Sequence, residues 1–252
     1  MSLRFVVLLG SCLLVGCSGS RLPDGFVPLE MVEVEGGTFL VGDVHDQENT
    51  DALPLHERTI SDFRLMAYEV TFEAYDAYAR ATGVPVPNDE GMGRGRRAVA
   101  QVNWDEAQAF CEAYGWRLPT EIEYEYAARS GGEAVRWSGT NSEDSLAVYA
   151  WYGGQDRGVF DGAIPVGSKQ PNALGLHDLS GGVREWVGAY YQFYPEPGSE
   201  PEWSDLEVSG IRIFRGGGRM DPPEFLQTFW RMGALREDRM TDVGFRCAAD
   251  GG

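Results

Sequence analysis

Thirty-three glycines are spread through the 252 residues of this chain, with 13 prolines among them. Breakers at that density leave little room for long helices or strands. Glycine weakens the interior of either element, and proline removes a backbone donor. Such a chain either stays disordered or folds as short elements joined by many ordered turns. Disorder goes with a scarcity of aromatic residues. Here 12% of residues are aromatic and 43% hydrophobic, enough apolar area to bury a core. The expectation is one loop-rich globular domain. Its formal charge of -18 would repel a phosphate backbone, which argues against nucleic acid as a partner.

Residues 1–16 read as an address. Arg4 precedes an apolar run from Phe5 to Val15, well short of the roughly 20 residues a spanning helix needs. Leu14-Val15-Gly16-Cys17 has the form of a lipobox, in which cleavage precedes a cysteine that becomes lipidated. Ser18-Gly19-Ser20 then supplies a flexible tether. The expected organisation is a signal peptide over 1–16, a lipidated Cys17 with its tether over 17–28, and a domain over 29–252. Palmitate-type chains on Cys17 would hold the protein at the membrane of a bacterial envelope, with Ser18 favouring the outer membrane. Cys12 leaves with the leader and Cys17 is consumed by lipid, so Cys111 and Cys247 remain. They are either two separately buried thiols or a disulfide, worth roughly 4–5 kcal/mol in the loop-entropy model.

Three helices announce themselves by their ends. Thr71 caps one whose apolar face includes Phe72, Tyr75 and Tyr78, with Gly83 as its stop. Asn103 and Glu106 form a capping box ahead of a second, which runs to Tyr114 and halts at Gly115. Thr120 and Glu123 start a third, running to about Ser130. Met31–Val41 alternates around a Gly-Gly break, suggesting short strands or a hairpin. Asp43–Leu55 and Pro85–Arg97 read as surface loops, and Tyr194–Gly210 as an exposed acidic insertion. After the third helix the chain is expected to be short strands and loops.

Six collinear segments carry a family likeness: GGTFLVGD, YEVTFEAYDAY, QVNWDEAQAFCEAYGWRLPTEIEYEYAAR, PVGSKQPNALGLHDLSGGVREWV, RIFRGGG and GFRCAAD. Together they resemble the formylglycine-generating enzyme, or sulfatase-modifying factor, family from about Met31 to Asp250. The resemblance implies a single α+β domain with an elaborated C-type-lectin-like fold of low regular secondary structure. It also implies that Cys111 pairs with Cys247, where the family has its structural disulfide.

In active family members two cysteines follow the RGGS-like turn and bind copper for oxidation of a substrate cysteine, a task for soft thiolates. The matching stretch here is RGGGRMDPPEFLQTFWRMGALRED, which puts Asp221 and Leu226 at those two places and Gly218 at the usual serine. No cysteine lies between Cys111 and Cys247. No copper is expected, and formylglycine generation by the family mechanism is not. His45, His56 and His177 are far apart in sequence and form no helical cluster, which disfavours an iron centre.

The resemblance further implies structural calcium in HDLSGGVREW, with carboxylates from Asp178 and Glu185 and backbone carbonyls from Gly181 and Val183. A second family calcium site does not transfer, because Gly158 stands where an aspartate is expected. The tryptophans at 104, 116, 137, 151, 186 and 230 are expected mostly in the core. A groove lined by Arg215, Arg219, Asp221, Glu224, Arg231 and Arg236 would offer basic groups to an acidic peptide, unless some of these arginines form internal salt bridges. The leading expectation is a non-catalytic, calcium-stabilised lipoprotein that holds a protein or peptide partner at the envelope. The alternative is a metal-dependent oxidase of the pyoverdine-maturation kind, whose members also lack the cysteine pair, acting on a periplasmic substrate with Asp221 or Glu224 as acid or base. A lectin-like surface adhesin ranks third.

Overall fold

The computed structural model describes Gly25, Val27 and residues 29–154, 164–194 and 210–252. The signal segment, Cys17, Gly158 and most of the Tyr194–Gly210 insertion lie outside the described residues.

Four helices and nine short strands appear among the described residues. The first three helices begin where their caps predicted. Helix α1 spans Phe72–Thr82, with the Thr71 hydroxyl accepting the Ala74 N–H at 3.2 Å and Gly83 closing it in the left-handed region. Helices α2 (Trp104–Ala113) and α3 (Glu121–Ala128) each start on a complete capping box, at Asn103/Glu106 and Thr120/Glu123. Helix α4 (Glu143–Tyr149) was not anticipated; it is a two-turn element without a side-chain cap.

The strands are β1 Met31–Val34, β2 Gly37–Val41, β3 His56–Ile60, β4 Phe63–Met66, β5 Arg184–Tyr190, β6 Ile211–Arg215, β7 Met232–Leu235, β8 Val243–Phe245 and β9 Ala248–Asp250. The alternating stretch at 31–41 is two strands, but they do not pair with each other. β1 joins β4 and β9 in one antiparallel sheet, while β2 pairs with β3 in another. At Gly36, between β1 and β2, the chain runs so close to the end of β3 that a Cβ would lie 2.3 Å from the Ile60 carbonyl oxygen. The third sheet has the order β7-β6-β5-β8, with β8 parallel to β5.

Two main cores fill the space between these layers. In the first, α1 and α2 pack Tyr75 and Phe110 in a stack 5.6 Å apart, with the Phe245 ring edge-on to Phe110 at 5.3 Å. Such aromatic pairs add roughly 0.5–1.5 kcal/mol each beyond their buried area. In the second, Tyr124 and Ala127 of α3 sit against Phe39, Phe63, Ile213 and Phe229. The expected disulfide between Cys111 of α2 and Cys247 is present, its Cα atoms 5.6 Å apart. Trp186 and Trp137 are core residues as expected, whereas Trp104, Trp116, Trp151 and Trp230 are only partly buried. Val27, read as tether, instead packs on the first core, and its carbonyl accepts the Tyr114 hydroxyl at 3.1 Å. No helix among the described residues is long and apolar enough to cross a membrane.

Candidate functional site

Three loops laced by backbone hydrogen bonds form the site. Gly182 donates to the Trp151 carbonyl (3.1 Å), Arg219 N–H donates to the Gly182 carbonyl (2.8 Å), and Gly153 donates to the Asp221 carbonyl (2.7 Å). Gly181 makes the approach possible: it lies at positive φ, and a Cβ there would sit 2.3 Å from the Trp151 carbonyl oxygen. Beside these loops opens a cleft with a cavity volume of about 40 Å³. Its polar groups come from Glu69, Arg97, Asp178 and Arg219, with Trp151 and Val166 among its apolar ones.

Asp221 and Leu226, the positions matching the cysteine pair, are both committed elsewhere. The Asp221 carboxylate accepts Arg184 at 2.6 Å and the Gly218 N–H at 2.8 Å. Leu226 is fully buried beside Trp137, Leu146 and Ala150. One of the two positions thus holds an ion pair and the other an apolar core residue.

The basic groove expected from Arg215, Arg219, Arg231 and Arg236 does not form, for a physical reason. Arg215 reaches Glu121 at 3.0 Å and Glu125 at 2.8 Å, and Arg231 reaches Glu121 at 2.6 Å; these arginine side chains have no exposed surface. Arg129 adds a second cation to Glu125 at 2.9 Å. Burying these charges is tolerable only because each guanidinium meets carboxylates in hydrogen-bonding geometry. Burial pushes Glu121 up, but Arg231 and then Arg215 outweigh it and hold its carboxyl below the usual range. Arg236 pairs at the surface with Asp105, and Glu224 is exposed. Of the six groove candidates, only Arg219 lines the cleft.

The calcium set fares similarly. Asp178 and Glu185 do face one buried region, but Glu185 is spent. One of its oxygens accepts Arg246 (2.9 Å) and the Tyr124 hydroxyl (3.0 Å), the other accepts Arg246 (2.7 Å). Asp178 gives one oxygen to the Gly167 N–H at 2.6 Å. Calcium takes six to eight oxygens, and among the described residues no group of three or more His, Cys, Asp or Glu has the arrangement to hold a metal ion. A guanidinium already stands where a cation would be needed, so these four residues do not fit calcium.

Glu69 is the residue that the sequence reading missed. It is 2% exposed, its Oε2 has no hydrogen-bond partner, and it borders the same cavity as Asp178, both side chains lying against Gly182. Burial first, and then the charges of Asp178 and Glu185, push it well above the carboxylate range. Burial raises Asp178 and Glu185 as well, against the pull of Arg246. The available signal was an acid inside the otherwise apolar run Leu65-Met66-Ala67-Tyr68-Glu69-Val70. The histidines stay apart on different aromatic rings: His45 by Phe229, His56 on Tyr194 and His177 on Tyr68.

Residues 25–251 match the FGE-sulfatase family, the sulfatase-modifying factor enzyme 1-like domain. A mouse protein named inactive C-alpha-formylglycine-generating enzyme 2 is 29% identical over 88% of this chain and 86% of its own. A serine/threonine-protein kinase, pkn1 of Chlamydia pneumoniae, is 30% identical over 87% of this chain, which spans only 38% of that kinase. Among solved structures, PvdO from Pseudomonas aeruginosa superposes with a TM-score of 0.74 at 29% identity, covering 88% of this chain and 95% of PvdO. Treponema denticola variable protein 1 superposes at 0.75 with 24% identity, over 89% of this chain and 96% of its own, and shows the shared C-type-lectin-like fold alone.

Proposed function

This chain belongs to the sulfatase-modifying factor enzyme 1-like family, and from that premise we propose that it is a non-catalytic binding module of the bacterial envelope. It holds a peptide or protein segment in the cleft between Trp151, Arg219 and Asp178, and a lipid on Cys17 keeps it at the membrane. The observation that carries this reading is the pair Asp221 and Leu226. Oxidation of a substrate thiol through copper needs two soft thiolates at one point, one of them free to exchange with the substrate. A carboxylate clamped by Arg184 and a buried leucine supply neither. The mouse relative, named as inactive, fits the same reading. Calcium is left out, because Arg246 already neutralises Glu185.

A second reading is an oxidase of the pyoverdine-maturation kind. The likeness to PvdO favours it, as does the placing of the Glu69 and Asp178 carboxyls on the cleft, where an acid/base group would act. One experiment separates the two. The full chain is offered a cysteine-containing sulfatase-type peptide with copper and oxygen, and the peptide is read by mass spectrometry while oxygen uptake and bound copper and iron are measured. The binding reading expects unchanged peptide, no oxygen uptake and no stoichiometric metal. It also expects peptide-array binding that Trp151→Ala weakens about tenfold or more at unchanged Tm. Aldehyde formation, or bound copper or iron with oxygen uptake, would sink it.

A further inference from the structure

Two buried carboxyl groups, Glu69 and Asp178, line the cleft together, and the binding reading uses Asp178 only as a wall and Glu69 not at all. Glu69 presents Oε2 without a hydrogen-bond partner; its Oε1 faces Gly182, where a Cβ would come within 3.0 Å. Asp178 is 7% exposed and uses one oxygen on the Gly167 N–H. Glu185 lies near the pair, fully engaged by Arg246 and Tyr124. Arg246 hydrogen-bonds Glu185 but neither Glu69 nor Asp178 among the described contacts. Two carboxyls this close need either a shared proton or a cation to join them.

The surroundings select the kind of cation. Too few oxygens converge for calcium, as shown above. A guanidinium is a rigid planar fork wider than an ammonium, and the cavity is small, about 40 Å³. An ammonium is compact, carries three donors and rides on a flexible methylene stem. The walls suit such a stem: Ala98, Ala100, Pro165, Val166 and Val183 border the cavity.

We propose that Glu69 and Asp178 are the recognition site for a primary alkylammonium group, the side chain of a lysine in the bound peptide. The methylenes run along the apolar walls and the nitrogen sits between the two carboxylates. Arg97 and Arg219, which also line the cleft, select carbonyl-rich or acidic residues beside that lysine. This proposal rests on the peptide-binding reading and names its ligand chemistry.

The test titrates the full chain with N-acetyl-lysine methylamide, with its norleucine counterpart, which lacks the ammonium, and with calcium chloride alone, by calorimetry. The lysine compound should bind at least about tenfold more tightly than the norleucine compound, and calcium should give no saturable heat. In Glu69→Gln the preference should fall to about onefold while the thermal melt holds or rises; Asp178→Asn is the second variant should the first fail to fold. Equal affinity for the two compounds, a preference that survives both variants, or calcium binding that depends on Glu69 overturns the proposal. A peptide bound through Trp151 with no preference for lysine removes this site and keeps the binding reading. A lysine preference together with aldehyde formation keeps the site and removes that reading.

Discussion

Two buried clusters of opposite charge lie in one domain and are built to different standards. In the cluster beneath α3, Glu121 and Glu125 meet Arg129, Arg215 and Arg231, and cations outnumber acids. Glu121 is held ionised, and backbone carbonyls of Thr228 and Asp51 take further guanidinium donors. In the cluster under the cleft, Glu69, Asp178 and Glu185 lie near Arg246, all three acids are pushed up, and one oxygen has no partner. The first cluster is closed and holds the fold together. In the second, Arg246 bonds Glu185 alone, and Glu69 keeps an oxygen without a hydrogen-bond partner beside the cleft. A saturated network is an architectural part; an unsaturated one beside a cavity is a place for something to bind.

The sharpest way to break the comparison is to remove a cation from the closed cluster. Arg215→Met or Arg231→Met leaves Glu121 buried with half its compensation, which should cost about 3–5 kcal/mol. In a domain of this length that lowers Tm by about 10 °C or more in a thermal melt. Loss of only a degree or two would mean that the network is not tight. This outcome also separates the buried arginines from a ligand groove, since Arg231 should not be replaceable without harm to the fold.

Next in size is a contrast of sign with pH. Glu121 has a folded pKa below its unfolded one, so its contribution is present above the ordinary carboxylate range and is lost as pH falls through the folded value. Glu121→Gln should therefore destabilise at pH 7 and lose most of that deficit in acid. Glu69 has a raised folded pKa, so its folded state is favoured below the ordinary range and loses stability as pH rises. Glu69→Gln should melt roughly 3 °C higher at pH 7, a change of order 1 kcal/mol, and match the parent near pH 4. Melting curves of both variants from about pH 2 to 8 with slopes of the same sign would erase the distinction between the clusters. The smallest expected effect is that of chelation. With Arg246 in place as the internal cation, EDTA should move Tm by less than about 1 °C; a large drop would restore calcium to the Asp178–Glu185 region.

What the sequence made legible was local. Thr71, Asn103 and Thr120 fix helix starts through hydrogen bonds to residues three positions on, so caps and spacing suffice. The missed α4 has no side-chain cap hydrogen bond to reveal it. Of the two readings of 31–41, short strands held and a hairpin did not, because β1 and β2 pair with the strands at 63–66 and 56–60 rather than with each other. The site suffered in the same way. Arg215 and Arg231 show their charge in the sequence, but their acids lie about a hundred residues earlier, at separations of 94 and 110. Glu69 and Asp178, too, meet only after folding. The absence of thiols at 221 and 226, by contrast, needs no geometry to read.

The pairing of β4 with β9 bears on how the chain is made. Arg246 donates to the Met66 carbonyl at a separation of 180 residues, and Ala248–Asp250 complete the sheet begun at Met31. While the chain leaves a ribosome one end first, β4 therefore waits with one edge unpaired until residues 248–250 have emerged. An unpaired edge is a template for the wrong strand. Until then, the open edge of β4 is the place where a mispairing would start.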